Sequence, residues 1–171
     1  MITNKVKQRL RAGEPVLGAW LTLGSPASAE IMSRLGFDFL IIEGEHAAAD
    51  MGVVQLQLMA MNGTDTVPVM RVPWNDKAIV KVALDVGVKG IMFPMVNSRE
   101  EAIAAVRACK YPPEEVRGIG GGRASMYGAN SAEYLRTANE DVLIFVIIEH
   151  EEAVRNIAEI ASVPGIDALF F

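Results

Sequence analysis

With 51% apolar and 22% charged side chains over 171 residues, the chain has a globular composition and enough length to bury a core. Its net charge of −5, with acids and bases interleaved, excludes the concentrated basic face of a nucleic-acid binder and points to a small-molecule partner. No apolar run approaches the roughly 18 residues of a membrane span, and the N-terminal MITNKVKQRLRAGEP lacks a signal peptide's apolar core, so no membrane partner and a cytoplasmic setting are expected.

From the N-terminus, short apolar runs alternate with segments of helical period, the pattern of a parallel sheet with crossover helices. The first strand is VLGAWLTL (16–23), after which Ser25 and Pro26 open a helix that Gly36 closes. FDFLIIE (37–43) follows, then a helix between Asp50 and Asn62-Gly63. VPVMRV (67–72) leads to Asn75 and the KAIVKVALDV helix, which Gly87 terminates. KGIMFPM (89–95) precedes a helix over 98–110, where Ser98 and Glu101 have capping-box spacing. Cys109 lies in that helix without a partner of metal-ligand spacing, so packing is its expected role.

The next stretch, YPPEEVRGIGGGRASMYGAN, is too long and glycine-rich for a simple turn and reads as a functional loop or an oligomer contact. Its GIGGGRA run lacks the strand-to-helix context and GK[ST] ending of a phosphate cradle. VLIFVIIE (142–149), a helix after Glu151 ending at Pro164-Gly165, and IDALFF (166–171) complete the chain. The strands are apolar throughout, so both faces are covered, as in an α/β barrel or a doubly wound sheet. One partial domain over 1–171 is expected, a (β/α)8 TIM barrel truncated after about six strands, since a closed barrel needs eight and typically about 250 residues.

In such a barrel, polar residues at the C-terminal strand ends face the active site. The second strand delivers Glu43, Gly44, Glu45 and His46, the third Arg71, and the fifth Glu149. His46 suits proton transfer near neutral pH, with Asp85 as an expected orienting partner. The Arg71 fork matches a carboxylate or a developing enolate oxygen, or else forms one half of a structural ion pair. Glu149 is a hard oxygen ligand for a divalent cation, or else a cap for the helix that begins at Glu151. His150 reads as solvated. Together these residues suggest enolate chemistry on a 2-oxo acid.

FDFLIIEGEHA, VPVMRVPWND, KGIMFPMVNSREEA, YPPEEVRGIGGGRA, VIIEHEEAV and VPGIDALFF, in this order and spacing, resemble the HpcH/HpaI aldolase family of class II pyruvate aldolases. The resemblance runs from about Gly18 to Phe171. It implies a metal-dependent lyase that reversibly cleaves 4-hydroxy-2-oxo acids to pyruvate, or a related 2-oxo acid, and an aldehyde, with Mg²⁺, Mn²⁺ or Co²⁺, in hexamers built as paired trimers. His46 is then the acid/base supported by Asp85, Arg71 binds the pyruvyl side, Glu149 is a metal ligand, Glu43 and Glu45 are supporting residues, and Arg123 lies near the substrate or a neighbouring subunit. The implied second protein ligand is an aspartate just beyond Phe171. This chain carries Glu43 where the family usually has aspartate, and Ile147 where many members have glutamine, which implies a drier pocket. The rival readings are a related metal-dependent lyase or isomerase of the pyruvate/phosphoenolpyruvate group, and an inactive barrel fragment serving as an assembly or binding module.

Overall fold

The computed structural model describes residues 3–171. Helix α1 (Lys5–Arg11) precedes β1 (Gly18–Leu21), followed by α2 (Pro26–Met32), β2 (Phe39–Glu43), α3 (Met51–Ala60), β3 (Val67–Arg71) and α4 (Lys77–Val86). Then come β4 (Gly90–Phe93), α5 (Arg99–Cys109), a 3₁₀ turn (Arg123–Ser125), α6 (Ser131–Asp141), β5 (Leu143–Ile147), α7 (Glu151–Arg155), α8 (Ile157–Ala161) and β6 (Ala168–Phe170). Every strand falls inside an apolar run named above. All neighbours pair in parallel, in the order β1-β2-β3-β4-β5-β6.

Strand alternation sorts the core into two layers. Leu40, Ile42, Met70, Ile91, Ile144 and Val146 point outward and pack under the helices. Ile41, Val69, Met92 and Phe145 point to the other face, with Trp20 and Phe39 packed against them. β1 and β6 are the outermost strands of the sheet, yet Trp20 and Phe170 meet edge to face with ring centroids 5.8 Å apart. The sheet is therefore curled into a half-barrel, with the second layer on its concave side.

α1 closes the floor of that concavity, at the N-terminal ends of the strands. Val6 is buried among the concave-face residues. The Asn4 amide donates to the carbonyls of Lys89 (3.2 Å) and Asp141 (3.0 Å). The buried Lys7 ammonium donates to the Val142 carbonyl at 2.6 Å and pairs with Asp167 at 3.0 Å. The Asp167 carboxylate also accepts from the Ile144 N–H, 2.9 Å away, so this buried pair is fully engaged.

Three boundaries differ from the sequence reading. Asp76, rather than Asn75, caps α4: its carboxylate accepts from the Ala78 and Ile79 N–H groups, while the Asn75 amide reaches the Glu101 carbonyl. α2 ends at Met32, and Gly36 turns the chain afterwards at φ +87°. The long excursion ends in a regular helix, α6, before β5 begins. Cys109 is buried in the core, and desolvation pushes its thiol up to about 12, which leaves it a packing residue.

Replacing Lys7 by Ala strands the Asp167 carboxylate in the floor and is expected to cost roughly 3 kcal/mol of stability in chemical denaturation. Adding Asp167→Asn should recover part of that loss.

Candidate active site

Parallel register sets the centre of the site: Glu43 and Arg71 are paired positions at the C-terminal ends of β2 and β3. Two residues of strand period beyond Ile41 and Val69, both side chains fall on the concave face. Glu43 is only 2% exposed, and its two oxygens accept from Arg71 Nε at 3.1 and 2.8 Å and from Arg71 Nη2. One of them also accepts the backbone N–H groups of Glu45 (2.7 Å) and His46 (3.0 Å). Glu43 thus ties the turn after β2 to the guanidinium on β3. Burial works against its charged form, but the Arg71 hydrogen bond and the N–H groups of His46 and Glu45 outweigh it and hold the carboxyl below its usual range.

That clamp is side-on, through Nε and Nη2, and leaves Nη1 outside it, beside Glu45. The guanidinium carbon lies 4.7 Å from the centroid of the Trp20 ring, so its flat face is supported as well. Glu45 places an oxygen 3.3 Å from Arg71 Nη1 and 3.5 Å from His46 Nε2, and the His46 side chain is 71% exposed. Gly44 makes the close turn possible: a Cβ there would stand 2.6 Å from the Arg71 carbonyl oxygen, which accepts the Gly44 N–H.

Glu149, just past β5, is exposed, and one of its oxygens accepts the Met95 N–H at 2.8 Å. Met95 holds a left-handed backbone (φ +53°) at the end of β4, a strained conformation for a side chain of its size. The cap of α7 is His150, whose Nδ1 accepts from the Glu152 N–H, so Glu149 is not the cap and keeps its second oxygen for another partner. Among the described residues, no three His, Cys, Asp or Glu side chains stand close enough to hold a metal ion together. The donor chemistry fits a hard divalent cation through Glu149 alone, with the remaining oxygens to come from elsewhere.

The structure does not bring Asp85 and Arg123 to this mouth within the chain. α4 runs back from the C-terminal end of β3, so Asp85, in its last turn, sits at the opposite rim. There its carboxylate accepts from Arg117 Nη2 at 2.7 Å, and Arg117 stacks on Tyr111 with 4.2 Å from guanidinium carbon to ring centroid. Arg123 donates to the carbonyls of Val86 (3.1 Å) and Leu58 (3.2 Å) and to the Asn62 side chain (2.7 Å). A cation on the last carbonyls of two helices is a favourable dipole contact, and it ties the glycine-rich loop to α3 and α4. The buried Arg117, the Trp20 platform and the Met95 N–H were not legible as partners. Only Trp20 had a signal, its position in β1 with concave-face parity.

A family model described as HpcH/HpaI aldolase/citrate lyase matches residues 17–171. The chain belongs to the HpcH/HpaI aldolase/citrate lyase family. It is 42% identical over 169 residues to the 4-hydroxy-2-oxo-heptane-1,7-dioate aldolase of Escherichia coli, which covers 98% of this chain and 64% of that relative. It is 40% identical over 168 residues to the 5-keto-4-deoxy-D-glucarate aldolase of Escherichia coli, covering 98% of this chain and 65% of the relative. The crystal structure of a family protein from Burkholderia cenocepacia superposes with a TM-score of 0.93 at 39% identity, over 98% of this chain and 68% of that one. The chain thus spans about two thirds of the length of these family members, and its strands are the matching part of their α/β barrel.

Because the Glu43 pKa is depressed in the folded state, its contribution to stability is present above the ordinary carboxylate value of 4.5 and is lost as the pH falls through the lowered one. Glu43→Gln should therefore cost roughly 3 kcal/mol near neutral pH. Denaturation curves taken at successively lower pH should keep their separation down to about pH 4.5 and converge on the wild type only as the pH falls through the lowered value.

Proposed function

We propose that this chain carries the 2-oxo acid half of a divalent-metal-dependent aldolase, a carbon–carbon lyase that cleaves 4-hydroxy-2-oxo acids to pyruvate, or a related 2-oxo acid, and an aldehyde. The observation that carries the proposal is the arginine fork: Arg71 is held by Glu43 and Trp20, its Nη1 lies outside the Glu43 clamp, and Glu45 links it to His46. The names of the 40–42% identical relatives support the same reading.

Three carboxylates, Glu43, Glu45 and Glu149, face one guanidinium at this rim, so the mouth carries two surplus negative charges when His46 is neutral. A 2-oxo acid is itself an anion, and a divalent cation offsets that surplus. Mg²⁺, Mn²⁺ or Co²⁺ suits the donor chemistry, with Glu149 as one protein ligand and the implied second ligand an aspartate beyond Phe171. When bound, the ion supplies positive charge against the oxygens of the 2-oxo acid as negative charge develops on them.

The chain's own residues do the rest. Arg71 binds the pyruvyl carboxylate and carbonyl side and offsets the enolate charge. His46 takes the proton from the C4 hydroxyl as the C3–C4 bond breaks and its electron pair moves toward the C2 carbonyl. The imidazolium then returns that proton to C3 of the enolate, giving the 2-oxo acid and the aldehyde. Ile147, buried on the concave face next to Phe170, dries the inner wall of the same mouth. In this reading the 171 residues are part of one barrel domain. The family resemblance further implies assembly as paired trimers.

The test is pyruvate release from 4-hydroxy-2-oxo acids, with added Mn²⁺ and after EDTA. It is made on the chain alone and on the chain extended by the part of its Escherichia coli relative that lies beyond the match. EDTA-sensitive release is expected, and Arg71→Ala should lower kcat/KM by on the order of 100-fold or more, as loss of a donor to developing charge does. Release that ignores EDTA, or none from either form, overturns the proposal.

A further inference from the structure

Glu45 stands between two groups that the proposed reaction needs, within ion-pair distance of both and hydrogen-bonded through Oε2 to neither. Its Oε2 is shielded from solvent and makes no hydrogen bond, although Arg71 Nη1 lies 3.3 Å away and His46 Nε2 3.5 Å away. A buried carboxylate oxygen without a donor is unfavourable, so a small rotation toward either neighbour is downhill. Nothing in the fold forces the choice. Glu43 already holds Arg71 through Nε and Nη2, and Nη1 lies outside that clamp. An anion arriving there competes with Oε2 for Nη1, and like charge pushes the two carboxylates apart. The donor then left within reach of Oε2 is the Nε2–H of His46, a ring otherwise largely exposed.

We infer that Glu45 is a positioning residue that couples anion binding at Arg71 to the orientation of His46. When a carboxylate occupies the Arg71 edge, Glu45 leaves Nη1 and closes on Nε2–H, fixing the imidazole with Nδ1 toward the mouth. The free site keeps its proton carrier loose, and the filled site orders it. The inference rests on the reading of Arg71 as the anion site and His46 as the proton carrier.

Pyruvate in the presence of Mg²⁺ is the probe, followed by NMR of imidazole and indole nitrogens in a Trp74→Phe background, where Trp20 is the remaining indole. Trp20 reports on Arg71 through their stacking contact, and His150, with Nδ1 held by the Glu152 N–H, is the internal reference for an intact fold. Without further substitution, Trp20 and His46 signals should move together along one binding curve. In Glu45→Ala, Trp20 should respond at several-fold lower pyruvate, because the competing carboxylate is gone, while the His46 response disappears. Glu45→Gln, which keeps an acceptor without the charge, should restore the His46 response. A His46 shift of undiminished size in Glu45→Ala, or weaker pyruvate binding there, overturns the inference and leaves the aldolase reading standing. No Trp20 response in any form removes the anion-binding reading of Arg71 and this inference together.

Discussion

The site depends on one buried ion pair, Glu43 with Arg71, at neighbouring positions on two parallel strands. Such a pair loses solvation on both sides and holds only when the remaining lone pairs and protons are satisfied. Here the satisfaction comes from the backbone. The turn through Gly44 aims the N–H groups of Glu45 and His46 back at the Glu43 carboxylate, so the pair and the turn specify each other. A guanidinium clamped along one side, and a main-chain anchor for the histidine beyond the turn, both follow from that mutual constraint.

Polar residues segregate between the two rims of the half-barrel, and the two ends do different work. At the C-terminal rim, carboxylates outnumber cations, and both Glu149 and Glu45 keep oxygens that are not fully engaged. At the other rim, charges are matched and used for closure: Lys7 with Asp167, Asp85 with Arg117, and Arg123 on helix carbonyls. Carboxylate oxygens to spare at one end and closing ion pairs at the other is the arrangement expected when chemistry is confined to one face and stability is supplied by the opposite one.

The same division explains what could be read without coordinates. Strand placement and the rim residues Glu43, His46, Arg71 and Glu149 follow from period and strand polarity, because a parallel strand fixes which end of its apolar run faces the mouth. Pair choice across the fold does not follow. Asp85 is in plain view in the KAIVKVALDV helix, but its partner, Arg117, arrives from an excursion whose path is set by tertiary packing over Tyr111. For Arg123 the family resemblance implies a place near the substrate or a neighbouring subunit. What decides its place is two helix ends that become neighbours only in the folded molecule. The Glu149 anchor is harder still, since a main-chain N–H from the left-handed Met95 has no side-chain signature at all.

The Lys7 contact with Val142 and Asp167 joins the first helix to the last two strands. A ribosome delivers α1 first, yet the groups that neutralise its lysine are made only near the end of the 171 residues. During synthesis the amphipathic N-terminal segment must therefore wait, undocked, while the strand ends it will cover stay open to water. Such late, long-range closure slows folding and exposes intermediates to self-association. The floor of the half-barrel is in this sense a latch that shuts only after β5 and the residues leading into β6 have emerged.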